Sequence, residues 1–144
     1  WTALSAALEV FRNARAKRRI LVLSDFSDFQ GNRKARLRYL AQQIGECADH
    51  FFLISDQGDY FRRRCREAGI SEDRILSCDT QPAAAEMMKQ LLQPGDLVLL
   101  KGRTTDHVTR VYFRIIGTIG CSRNQCKKTV LCDFCLELRP SVRS

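Results

Sequence analysis

Four of the seven cysteines in this sequence fall within fifteen residues near its end, spaced Cys121-x4-Cys126-x5-Cys132-x2-Cys135. Two residues between Cys132 and Cys135 let both sulfurs reach one tetrahedral ion at about 2.3 Å. The Cys121–Cys126 arm is wider, and its Ser122, Asn124 and Gln125 suit a tight turn. Four thiolates complete a shell without histidine or carboxylate, so the expected site is closed and structural, with Zn2+ as the ion. Lys127 and Lys128 would offset part of its negative charge. Only five residues part the second and third cysteines, which is not a standard zinc-finger spacing. An iron–sulfur cluster, free thiols and disulfides therefore remain alternatives. Disulfides are disfavoured by the absence of an export signal. A redox role for the C-x-x-C pair is disfavoured by its distance from the start of a helix after a first strand.

The other cysteines, Cys47, Cys65 and Cys78, are scattered and read as small buried apolar residues, with arginines beside Cys65 that would lower its pKa. His107 and His50 read as capping or surface residues. The remaining groups placed to do chemistry each follow an apolar run. They are Ser24, Asp25 and Asp28, then Ser55 and Asp56, then Cys78 and Asp79, then Lys101, Gly102 and Arg103. Asp25 and Asp28 would otherwise be caps or turn residues, and Lys101 and Arg103 partners in a salt bridge. S-D-F-S-D-F-Q-G is neither a dinucleotide fingerprint nor a P-loop, so tight nucleotide binding by this chain alone is not expected.

The elements that must position these residues alternate. Thr2–Ala16 has helical apolar spacing, R-I-L-V-L-S-D reads as a strand buried on both faces, and Arg33–Cys47 is helical again. H-F-F-L-I-S-D is a second strand, Asp59–Ala68 a helix closed by Gly69, and R-I-L-S-C a third strand. Pro82 opens a helix, D-L-V-L-L-K-G is a fourth strand, and Thr105–Ile116 a last helix. The architecture expected is α/β, a mostly parallel sheet with helices on both faces. In such sheets ligands sit beyond the carboxyl ends of the strands, where the residues named above lie. The composition shifts at Gly117–Gly120, dividing an α/β domain over 1–116 from a four-cysteine tail over 117–144.

Three stretches carry a resemblance. T-A-L-S-A-A-L-E-V-F is similar to the helix that opens the C-terminal domain of the Mur ligases. R-R-I-L-V-L-S-D-F-S-D-F-Q-G resembles that family's strand and Gly-Asp-Met…Glu-Leu-Gly loop, and L-Q-P-G-D-L-V-L-L-K-G-R its Pro-Gly-Asp, apolar strand and Lys-Gly-Ser-Arg. The branch most resembled adds D-alanyl-D-alanine to the muramoyl tripeptide in peptidoglycan synthesis. The resemblance implies a Rossmann-like lid on an ATP-dependent ligase that joins a carboxylate to an amine. ATP and Mg2+ would be bound mainly by a central domain, with N-terminal and central domains upstream of Trp1, and this fragment alone would be inactive. Asp25 and Asp28 would then face the nucleotide and the amine of an amino acid or peptide, with Lys101 and Arg103 beside them. A carboxylate can hold the ammonium, and Arg103 can take a carboxylate in bidentate fashion. Ser24 stands for the family's glycine, Asp28-Phe29-Gln30 for Glu-Leu-Gly, and the serine of Lys-Gly-Ser-Arg is missing. A different amine substrate fits these departures. The cysteine tail has no counterpart in the family.

The chain of 144 residues has a net charge of +8. Its basic residues are spread, without alternating aromatics, so nucleic acid is not the expected partner. The alternative function is a non-catalytic α/β binding module, its zinc tail docking on nucleic acid or protein. No apolar run approaches the roughly 18 residues that span a bilayer, so no membrane partner is expected. A cytoplasmic, thiol-reducing setting is expected.

Overall fold

The computed structural model describes residues 2–24, 32–117, 119–121, 123 and 126–139. Helix α1 (Thr2–Asn13) leads into strand β1 (Arg18–Ser24). There follow α2 (Arg33–Ile44), β2 (His50–Ile54), α3 (Gly58–Glu67), β3 (Ile75–Cys78), α4 (Gln81–Leu91), β4 (Asp96–Lys101) and α5 (Thr109–Ile116). The four strands form one parallel sheet in the order β3-β2-β1-β4. The α/β reading of the sequence stands.

The apolar run of β1 is continuous because its alternate side chains serve two cores. Leu21 and Leu23 join Phe51 and Leu53 beneath α1, α2 and α3. Ile20 and Val22 join Phe52 and Ile54 beneath α4 and α5. The chain moves outward from β1 to β2 to β3 and then returns across the sheet to β4. A fixed crossover hand places α2 and α3 on one face and α4 on the other.

Helix ends differ from the sequence reading where distant side chains intervene. α1 stops at Asn13, whose amide donates to Glu9 O (3.0 Å). The Arg19 guanidinium caps that end, donating to Phe11 O at 3.0 Å and to Ala14 O. α4 starts as expected from a proline in its first turn, with the Thr80 hydroxyl accepting from Ala83 N at 3.2 Å. In place of one helix over Thr105–Ile116 there is a 3-10 turn at Thr104–Asp106. His107 then takes a left-handed conformation (φ 48°), and α5 follows.

Much of the basic charge is spent inside the molecule. Arg74 donates to Gly45 O (2.9 Å), Ala48 O (2.6 Å) and Asp49 O (3.0 Å), and stacks over the Phe51 ring. Arg62 reaches Ile75 O, and Arg18 pairs with Asp96 at 2.6 Å. These guanidiniums hold backbone carbonyls and an aspartate in place. Arg74→Ala is expected to cost about 2 kcal/mol in urea unfolding, since a charged donor leaves three carbonyls at once, with Arg74→Lys recovering part.

The lowering of the Cys65 pKa expected from its neighbouring arginines is outweighed by burial. Burial pushes the thiol up to about 12 against the opposing Arg62. Burial likewise raises Cys78 to about 11. Both are inert packing groups.

Candidate functional site

The order β3-β2-β1-β4 reverses direction between β1 and β4, and a crevice beyond the carboxyl ends of those two strands is where an open α/β sheet takes a ligand. Ser24 ends β1 and Lys101 ends β4, with Lys101 directly opposite Leu23. Gly102 follows. A β-carbon there would stand 2.1 Å from Ser24 Oγ, so the close approach of the two strand ends requires glycine.

One carboxylate organises this edge. Asp106 Oδ2 accepts from Ser24 Oγ (2.7 Å) and from the Arg103 backbone N–H (2.9 Å). Its Oδ1 accepts from Arg103 Nη2 (2.7 Å), and Arg103 Nε lies 3.2 Å from both oxygens. Gln81, from the start of α4, donates to Asp106 O at 2.7 Å. Burial pushes the Asp106 carboxyl up, but the hydrogen bonds from Arg103 and Ser24 outweigh it and leave the group below its ordinary range. The guanidinium of Arg103 is thus pre-oriented at the strand ends by a fixed anion, while its side chain keeps part of its surface in solvent (29 % exposed). Lys101 is half-buried beside it. Asp25 and Asp28 lie outside the described residues.

Sequence reasoning named Ser24 and Arg103 but not Asp106, although an aspartate three residues after an arginine at a strand end is a local signal of such a pair.

The tail holds a second cluster. Cys121, Cys126, Cys132 and Cys135 all line one small cavity of about 10 Å³, against the start of α5. Two further residues line it: His107, which the sequence suggested as a capping or surface residue, and Arg110, which it did not single out. His107, buried at 4 % exposure, places Nδ1 3.3 Å from Cys132 Sγ and Nε2 2.9 Å from Lys128 O. Arg110, equally buried, donates to Cys121 Sγ at 3.3 Å and to Arg123 O. Arg114 donates to Cys121 O at 3.2 Å. Among the described residues no three His, Cys, Asp or Glu side chains already stand as a metal-ligand set.

Another cavity, of about 460 Å³, lies between α1 and α2, lined by Leu4, Leu8, Arg12, Tyr39 and Gln43 among others. It is larger, yet it is far from the strand ends, and its charged rim is solvated. The β1–β4 strand ends carry the convergent polar groups Ser24, Arg103 and Asp106 and are the better candidate. No helix among the described residues is long and apolar enough to cross a membrane.

A family model described as "Mur ligase, glutamate ligase domain" matches residues 1–104. The match takes in all four strands, Lys101 and Arg103, and ends before Asp106 and the cysteine tail. No curated protein matches the chain.

Proposed function

Because the chain belongs to the Mur ligase C-terminal domain family, a family of ligase domains, we propose that it is the substrate-presenting domain of an ATP-dependent ligase that forms an amide from a carboxylate and an amine. The observation that carries this is the position of Arg103 at the β1–β4 reversal, inside the family match and locked by Asp106.

ATP supplies the phosphoryl group that activates the carboxylate. This chain has no glycine-rich cradle of its own, so nucleotide and Mg2+ belong mainly to a separate central domain. The work of the chain is positioning. Arg103, its guanidinium oriented by Asp106, supplies the positive charge that attracts an anion of the incoming amino acid or peptide. Lys101 adds a second cation at the same strand end. Asp25 and Asp28, which follow β1 in the sequence, hold the attacking ammonium. Closure of the domain over the partner excludes water from the activated carboxylate and aligns the amine. Peptidoglycan synthesis is the setting this reading favours.

The test is amide formation, followed by phosphate release, by the full polypeptide carrying this chain, with a panel of amino acids and dipeptides as amines. Arg103→Ala is expected to lower kcat/KM for the amine by about 10- to 100-fold, or about 1.4–2.7 kcal/mol of transition-state stabilisation, with the nucleotide KM little changed. Wild-type kcat/KM in that variant, folded normally, would remove Arg103 from the site.

A further inference from the structure

The tail cavity has room for about one water-sized particle, which suits a single ion rather than a cluster or an organic ligand. Within it, His107 is already set up as a ligand. Its Nε2 faces the Lys128 carbonyl, which can only accept, so Nε2 carries the proton. In the neutral ring this leaves the lone pair on Nδ1, 3.3 Å from Cys132 Sγ. Nitrogen and sulfur ligands at about 2.0 and 2.3 Å from one tetrahedral ion stand about 3.5 Å apart, close to that separation. A backbone carbonyl holding the far ring nitrogen is how metal-binding histidines are oriented. The backbone adds weight. His107 is the only non-glycine residue with positive φ among the described residues, and that conformation turns its ring toward the tail.

Cys121 is placed differently. Its sulfur accepts from the buried Arg110 guanidinium and from the Arg123 backbone. Arg110 also acts on Cys132 through its charge, but its hydrogen bond to a thiol of the cluster goes to Cys121.

We infer that this cavity binds one zinc ion through His107 Nδ1 and the thiolates of Cys126, Cys132 and Cys135, with Cys121 held outside the shell by Arg110. The His107–Cys132 pair is preformed. Cys126 and Cys135, half-exposed in a tail whose described residues form no α-helix or strand, swing in to complete the tetrahedron. Binding exchanges three thiol protons for one Zn2+ and leaves the shell at one negative charge, close to Lys128 and Arg110. Three cysteines and one histidine form a closed structural set, and mixed thiolate and imidazole donors suit zinc. The site fastens the tail to the residue directly after Asp106. It is independent of the ligase reading, because it needs no substrate.

The test uses the intact chain purified under reducing conditions, with elemental analysis and thiol counting before and after chelation. One zinc per chain is expected, with three thiols becoming reactive on its removal. Cys121→Ser retains the zinc, whereas Cys132→Ser and His107→Ala lose it or bind it at least tenfold more weakly. Should His107→Ala fail to fold, cobalt replacement in the wild-type chain decides. A sulfur-to-cobalt absorption intensity equal to three thiolates supports the assignment, and one equal to four overturns it. Zinc lost from Cys121→Ser but kept by His107→Ala also overturns it, as does failure of the wild-type chain to take up added zinc or cobalt.

Discussion

Asp106→Ala is expected to lower unfolding stability by about 3 kcal/mol and Tm by about 10 °C. The variant strips Ser24 Oγ of its acceptor and leaves the Arg103 guanidinium without the carboxylate that fixes it. A fully buried pair would cost more, but Arg103 keeps contact with water, and the figure is discounted accordingly. Asp106→Asn preserves the shape and removes the charge, so it should fall between the two. The pH dependence has a definite sign. The folded-state pKa of Asp106 is depressed, so its contribution is fully present above the ordinary carboxylate range and is lost as pH falls through the folded value. The stability gap between wild type and Asp106→Asn should therefore be widest at neutral pH and close in acid. A gap that stays constant from neutral pH into acid would show that the carboxylate charge is not what holds Arg103.

Gly102→Val should be comparably damaging, by about 3 kcal/mol, through overpacking rather than lost contacts. Even one added carbon would meet Ser24 Oγ at 2.1 Å, Ser24 Cβ at 3.0 Å and Val108 Cγ1 at 3.4 Å. These are the end of the central strand and the entry to α5, neither of which can withdraw cheaply. Relief must come from moving Ser24 off Asp106 or prying β4 from β1, and either shifts Arg103. Thermal denaturation of Gly102→Ala with and without Ser24→Ala separates the two routes. Partial recovery in the double variant identifies the hydroxyl as the obstacle, whereas additive losses point to the backbone.

The strands were legible because each is a compact apolar run between polar punctuation, and the sheet's parallel pairing follows from the helices between them. R-I-L-V-L-S and H-F-F-L-I were read as buried on both faces, and they are. What the sequence hid is contact across long separations. Ser24 and Asp106 meet over 82 residues, and nothing local to either announces it. His107 looked like a surface or capping residue because its flanks say nothing of Cys132, 25 positions on. The break before α5 was missed for a related reason. T-T-D-H carries no proline or glycine, and the helix is interrupted because Asp106 turns back to Arg103 and Ser24. Arg19 and Arg74 likewise looked like surface charge, since a carbonyl clamp is visible only once the loops it holds are in place.

The sheet is unequal from centre to margin, and that has a dynamic consequence. Every residue of β1 from Ile20 to Ser24 is buried, whereas all six residues of β4 are half-exposed, and its described pairing is with β1 alone. Amide hydrogens of β2 and of the β1 face turned toward it should therefore exchange with deuterium only through global unfolding, while those of β4 exchange through a cheaper local opening. The strand that ends at Lys101 and leads into Arg103 can loosen on its own, leaving the rest of the sheet shut.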